Sequence, residues 1–238
     1  MKAMIFAAGL GTRLKPFTEN HPKALAVVNN KPLLQRNIEY LKGYGINEFV
    51  INVHHFPDQI IAFLKEHNNF GCTIHLSDET DALLETGGGL KKASPFLKGN
   101  SPFLVMNVDM LTNLSVAKII DYHHTHNAVA TLAVTQRETS RYFLFNANNE
   151  LCGWKNTKTG EVKIKKEETN LTPKAFSGIH IIEPALLDLI HQEGKFSMVD
   201  VYLDLCQSHT IIGFDHTSDI LLDVGKPESI QQAEALFS

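Results

Sequence analysis

The chain predicts an α/β protein: a Rossmann-like, mainly parallel sheet with flanking helices and one small β insertion. Three observations carry that expectation. Short apolar runs alternate with amphipathic helical segments through roughly the first 135 residues, the order that right-handed βαβ units require. The first apolar run stops abruptly at a glycine-rich turn, Gly9-Leu-Gly11. Between about residues 137 and 172 the pattern changes to short, polar, β-prone segments, which read as a lid-like insertion in a single domain spanning 1–238.

The elements follow in order. Residues 3–8 are apolar throughout, as a strand buried on both faces would be. A helix over about 33–42 leads to a second buried strand, 49–53. A helix over 57–66 precedes a short strand at 73–76. Helical sequence from 89 to 97 runs into the apolar strand 102–106, and a helix over 115–126 into the strand 128–135. Segments 142–145, 150–154 and 161–165 make up the insertion. An apolar strand returns at 176–182, with helices near 184–191 and 199–207, strands at 210–214 and 220–223, and a helix from 227.

Composition narrows the classes of function. With 238 residues and 43% hydrophobic content, the chain can bury one large core. A net charge of −4 gives no general attraction to nucleic acid or to an anionic membrane, so cations for a phosphate must be local. No run approaches the ~18 to 20 apolar residues of a membrane span. Cys72, Cys152 and Cys206 are scattered and odd in number, which argues against a disulfide framework and a structural zinc. The start reads as a strand rather than a signal peptide, and a cytoplasmic location is expected. No internal repeat is present, including the hexapeptide type.

The opening carries the chemistry. Glycines after a strand let backbone N–H groups crowd an anion, and in Gly9-Leu-Gly-Thr-Arg13-Leu14 they are followed by the cations Arg13 and Lys23. The dinucleotide fingerprint fails at Leu14, and no Walker A lysine occurs. Asp109, in Asn107-Val-Asp109, and Asp223, in Asp223-Val-Gly225, each follow a strand. Ligands of open parallel sheets gather at that edge, and Mg²⁺ takes one or two carboxylates plus phosphate oxygens. Singly, such an aspartate is as well a turn former or helix cap. The run Glu85-Thr-Gly-Gly-Gly89 is either a flexible connection with Thr86 as helix N-cap or a loop that lets a ligand approach closely.

Taken with Pro16, Thr18 and Pro22-Lys23-Ala-Leu25, these motifs resemble the sugar-1-phosphate nucleotidyltransferases, or nucleoside-diphosphate-sugar pyrophosphorylases. The resemblance is dense at 1–35, 84–109 and 176–225 and thin at 136–170. It implies an enzyme that makes an NDP-sugar and pyrophosphate from an NTP and a sugar 1-phosphate, with Mg²⁺ held by Asp109 and Asp223. By the same resemblance Arg13, Lys23 and Asp109 are catalytic. Ala8, Gly9, Gly11, Thr12, Arg13, Lys23, Glu85, Thr86, Gly87, Gly88 and Asn107 bind the nucleotide, and Ser177 and Gly178 meet the sugar. The loop at 85–89 is similar to that of short members acting on N-acetylmuramate 1-phosphate with UTP, and to mannose-1-phosphate guanylyltransferases, which implies UTP first and GTP second. Many members carry a Glu-Lys pair before the sugar strand; here Glu167-Glu168 and Lys174 stand nearby without matching it.

Other readings remain at this point: a cytidylyltransferase for phosphocholine or a similar phosphorylated alcohol, or a non-catalytic nucleotide-sugar sensor. An NAD(P) oxidoreductase is disfavoured by Leu14. His123, His124 and His126 read as a solvated helix face, and His54-His55, at a strand end near the expected cleft, read equally as a substrate contact or as part of a loop.

Overall fold

The apolar run after Lys2 forms β1 (Ala3–Phe6), with all four side chains buried. A small hairpin of β2 (Val27–Val28) and β3 (Lys31–Pro32) leads into α1 (Leu33–Lys42). Then come β4 (Glu48–Val53), α2 (Pro57–Glu66), β5 (Thr73–Asp78) and α3 (Glu85–Leu97). The alternation ends with β6 (Phe103–Asn107), the short β7 (Met110–Thr112), α4 (Val116–His126) and β8 (Ala130–Thr135). This is a computed structural model, and it describes residues 1–237.

The insertion supplies β9 (Arg141–Phe145), β10 (Leu151–Asn156) and β11 (Val162–Ile164), joined antiparallel. After it run β12 (Thr172–Ile182), α5 (Met198–Leu205), β13 (Ile211–Asp215), β14 (Leu221–Asp223) and α6 (Pro227–Leu236). One ten-stranded sheet contains the order β11-β10-β9-β12-β6-β1-β4-β5, with β8 on β12 and β13 on β8. β1 lies parallel between β4 and β6, and β12 lies antiparallel between β6 and β8. The core is therefore mainly parallel, as expected.

Period-two alternation along β1 explains why both sheet faces are covered. Ala3 and Ile5 join one core cluster with Ile38 and Leu41 of α1, Leu64 of α2 and Ile119 of α4. Met4 and Phe6 join the other, with Leu90 and Leu97 of α3 and Val201 and Tyr202 of α5.

Several elements differ from expectation. β12 is eleven residues long rather than seven, because Thr172 to Lys174 pair with β9. The insertion is thus a continuation of the central sheet. The helix expected at 184–191 is a 3₁₀ segment, Pro184–Leu189, and α5 starts where the Ser197 hydroxyl accepts the Val199 amide at 3.1 Å. His123 is not solvated. It follows Ile119 by one turn, so it turns inward to Thr131 Oγ1 (2.8 Å) and Glu183 Oε1 (3.1 Å).

His180 on β12 is buried against Tyr202, with Phe143 and Phe176 also packed in this aromatic cluster. Burial pushes its imidazole down to about 3. The unfolded chain takes up this proton near pH 6.5 and the folded protein does not, so stability is complete above that pH and falls as pH drops from 6.5 toward 3. The loss is on the order of 4 kcal/mol by pH 3. His180→Gln keeps a partner for the Tyr202 hydroxyl and cannot charge. Urea melts across this window are expected to show a shallower acid slope for His180→Gln; an unchanged slope would refute the assignment.

Candidate active site

A cavity of about 240 Å³ opens at the carboxyl edge of β1, β4 and β6. Its first wall is the loop after β1, where Ala8 and Gly9 line the space. A Cβ built on Gly9 would meet nothing within 4 Å, so here the missing side chain leaves room for a ligand rather than for packing. Gly11 is different: with φ +61, its Cβ would stand 2.8 Å from Thr18 Cγ2 and 2.9 Å from Lys23 Cβ. The Thr18 hydroxyl donates to the Gly11 carbonyl at 2.9 Å and closes the loop on itself. Among the described residues, the amides of Gly9, Leu10 and Gly11 donate to no protein acceptor, which suits an anion. The 3₁₀ turn Thr12–Leu14 follows directly and carries Arg13.

Both expected cations are in place. Pro22 opens the 3₁₀ turn Lys23–Leu25, and the Lys23 ammonium pairs with Asp109 just past the end of β6. Arg13 Nη2 lies 3.4 Å from Asp223 Oδ2. The antiparallel pairing of β14 with β7 sets Asp223 opposite Met110, and the Val224 amide donates to the Asp109 carbonyl at 2.8 Å. Asp109 and Asp223 are therefore neighbours. Gly225 makes room for the arrangement, since its Cβ would sit 2.6 Å from Asp223 Oδ1 and against the Arg13 guanidinium.

Those two carboxylates fit a divalent cation. Asp223 Oδ1 is buried without a protein hydrogen-bond partner, and hard oxygens are what Mg²⁺ selects. Among the described residues no group of three or more His, Cys, Asp and Glu forms a complete cage, so phosphate oxygens and water would supply the remaining ligands.

The opposite wall corrects one expectation. The run at 85–89 is the first turn of α3, with Leu84 as N-cap, and not a loop. Gly87 and Gly88 face the protein: a Cβ on Gly87 would collide with the Phe196 ring, and one on Gly88 with the Gly194 carbonyl. Their amides both donate to the Phe196 carbonyl, at 2.9 and 3.2 Å. These glycines are needed for packing, and their N–H groups are already committed. Glu85 and Thr86 do line the cavity, and the Thr86 hydroxyl accepts the Met198 amide at 3.0 Å rather than capping the helix.

The sugar side needs a second correction. Ser177 is fully buried, its hydroxyl 2.7 Å from His216 Nε2, and cannot touch a sugar in this arrangement. Gly178, at φ +71, forms the irregularity between Phe176 and His180, and its Cβ would stand 2.6 Å from Asn107 Nδ2. It thereby lets Asn107 settle at the cavity edge. Lys174 is spent elsewhere, bonded to Asp215 Oδ2 (3.0 Å) and Asn149 Oδ1 (3.1 Å). Burial pushes the Asp215 carboxyl up, but bonds from Thr217 and Lys174 outweigh it and hold it below its ordinary range.

Sequence reasoning missed Asn52 and Glu79, which also line the cavity. Asn52 had a signal: it is the one polar residue within the run Phe49-Val-Ile-Asn-Val53. Glu79 had none. His54 Nδ1 lies 2.6 Å from the Glu79 carbonyl and His55 Nε2 lies 3.0 Å from the Thr18 carbonyl, so both histidines brace loops.

A Rossmann-like sheet with an anion-cradling glycine loop and paired carboxylates at its carboxyl edge defines a phosphate-handling class. The nucleotidyl transferase family model matches residues 2–237, and the chain belongs to that family. Mannose-1-phosphate guanyltransferase of Yarrowia lipolytica is 29% identical over 240 residues, covering all of this chain and 64% of the relative. Mannose-1-phosphate guanyltransferase 2 of Candida glabrata is 30% identical over 240 residues with the same coverage, so the chain spans 64% of these relatives' length. Among solved structures, HddC from Yersinia pseudotuberculosis complexed with GMP-PN superposes with a TM-score of 0.77 at 22% identity, over 100% of this chain and 99% of that one. UDP-glucose pyrophosphorylase from Acinetobacter baumanii gives 0.80 at 15%, over 99% and 92%. These likenesses show the fold. No helix among the described residues is long and apolar enough to cross a membrane.

Packing at Gly88 yields a direct test. Gly88→Ala is expected to destabilise by about 2 kcal/mol, since the new methyl must displace the Gly194 backbone. Gly9→Ala is expected to leave the melting temperature near wild type while weakening nucleotide binding. Equal melting losses in both variants would show that the two glycines do not differ in this way.

Proposed function

We propose that the protein joins a nucleoside triphosphate to a sugar 1-phosphate, releasing pyrophosphate and a nucleotide sugar. One observation carries the reading: an open glycine loop shares its cavity with Lys23 and Asp109, and Asp223, paired with Arg13, stands next to Asp109. Family membership and the names of the relatives support it.

An oxygen of the acceptor's phosphate forms a bond to the α-phosphorus while the bond to the bridging oxygen breaks, and that electron pair leaves with pyrophosphate. The nucleophile is already an anion, so no general base is needed, and catalysis rests on orientation and charge neutralisation. Lys23 neutralises the α-phosphate, and Arg13 steadies the departing pyrophosphate. The amides of Gly9, Gly11 and Thr12 hold the triphosphate. Asp109 and Asp223 would hold Mg²⁺, which when bound supplies further neutralisation of phosphate charge.

Two observations bear on the base. The likeness of the 85–89 segment to short uridylyltransferases favours UTP. The relatives named mannose-1-phosphate guanyltransferase favour GTP with mannose 1-phosphate as the second reading.

Pyrophosphate release from four NTPs against a panel of sugar 1-phosphates tests the reaction. Release with UTP or GTP and a sugar acceptor is expected; release only with phosphocholine and CTP would replace the sugar reading. Asp223→Ala is expected to abolish turnover with little change in melting, and wild-type rates in this variant would refute the metal assignment. Lys23→Ala is expected to lower kcat by about 10² with a smaller change in NTP KM. A change confined to KM would restrict Lys23 to binding.

A further inference from the structure

Glu79 is an ionisable side chain with no exposed surface, yet it borders the cavity and has no cation within salt-bridge distance among the described residues. A buried carboxylate in that position is costly unless its oxygens are satisfied. Both are: Oε1 accepts from Asn52 Nδ2 at 2.7 Å, and Oε2 accepts the Leu84 amide at 3.2 Å. Leu84 is the N-cap of the thirteen-residue α3, so the charge sits at the positive end of that helix. Asn52 then turns its carbonyl to the other wall, where Oδ1 accepts the Ala7 amide at 2.6 Å and the Ala8 amide at 3.3 Å. The opposite orientation of the Asn52 amide would set its NH₂ against the Ala7 and Ala8 N–H groups and its carbonyl against the Glu79 carboxylate. Gly89 leaves the space that these two side chains occupy, since its Cβ would lie 2.6 Å from Glu79 Oε1 and 3.1 Å from Asn52 Nδ2.

We infer that Asn52 and Glu79 are positioning residues for the nucleotide, a two-side-chain bridge that fixes the gap between the glycine loop and the first turn of α3. The inference rests on the nucleotidyltransferase reading above. A carboxylate is required at 79 because it faces a donor on each side. A glutamine there sets an NH₂ against one of them and loosens one wall relative to the other.

The experiment combines NTP titration by calorimetry, steady-state pyrophosphate release and thermal melting. Glu79→Gln is expected to raise the NTP Kd and KM about tenfold, with kcat within about threefold of wild type. A merely structural role would lower the melting temperature and leave the NTP Kd of the folded protein unchanged, and that result would overturn the inference. Adding Asn52→Asp to Glu79→Gln restores matched donors and acceptors, because the new carboxylate accepts from Ala7, Ala8 and the new amide, whose oxygen accepts from Leu84. The double variant is expected to recover both melting temperature and NTP Kd toward wild type, even if Glu79→Gln alone does not fold. A double variant no better than the worse single one would overturn the bridge. Wild-type protein that binds NTP but makes no nucleotide sugar would instead overturn the reaction, and the calorimetric comparison would still decide the bridge.

Discussion

The short antiparallel contact between β14 and β7 is the constraint on which the site depends. It carries a carboxylate from near the end of the chain to one just before the middle, against two cations supplied by the first turns of the sequence. Four charged groups from three distant segments thus meet at one edge of the sheet. A parallel core makes that edge available, because the strands that flank β1 end together there and release their loops on the same side.

The two ion pairs are not equal. Arg13 and Asp223 have side chains 54% and 37% exposed, where solvent screens the attraction and the pair contributes little to stability. Lys23 and Asp109 are only 11% and 16% exposed, so their attraction is less screened and each charge depends more on the other. The outer pair is therefore the more easily rearranged, and the inner pair is part of the scaffold.

Much of the parallel core was legible because its central strands are largely apolar runs, and a run such as 49–53, interrupted only by Asn52, has few other places to go. Placement was legible for Gly9, Lys23 and Asp109, which line one cavity at the sheet edge, and for Asp223, which stands next to Asp109. Legibility failed where a residue serves a partner distant in sequence. Gly87 and Gly88 looked like a ligand loop, and the Phe196–Gly194 backbone that they fit was invisible from their own neighbourhood. Ser177 looked like a sugar contact because His216, which covers it, arrives much later in the chain. Glu79 gave no sign at all, since a buried carboxylate and a solvated one are spelled the same way.

The extension of the central sheet through β12 into the hairpins leaves β11 as a free edge, with Val162 58% and Ile164 45% exposed. An open strand bearing two apolar side chains is a template on which another unfolded or partly folded chain can pair. Lys163 sits between them, laid over the Trp154 ring, and Lys165 and Lys166 follow immediately. A second chain that added to this edge would have to accommodate these lysines, which pair with Glu161, Asp204 and Glu150. Charged side chains along an open edge oppose such pairing, so this stretch guards β11 against edge-to-edge aggregation.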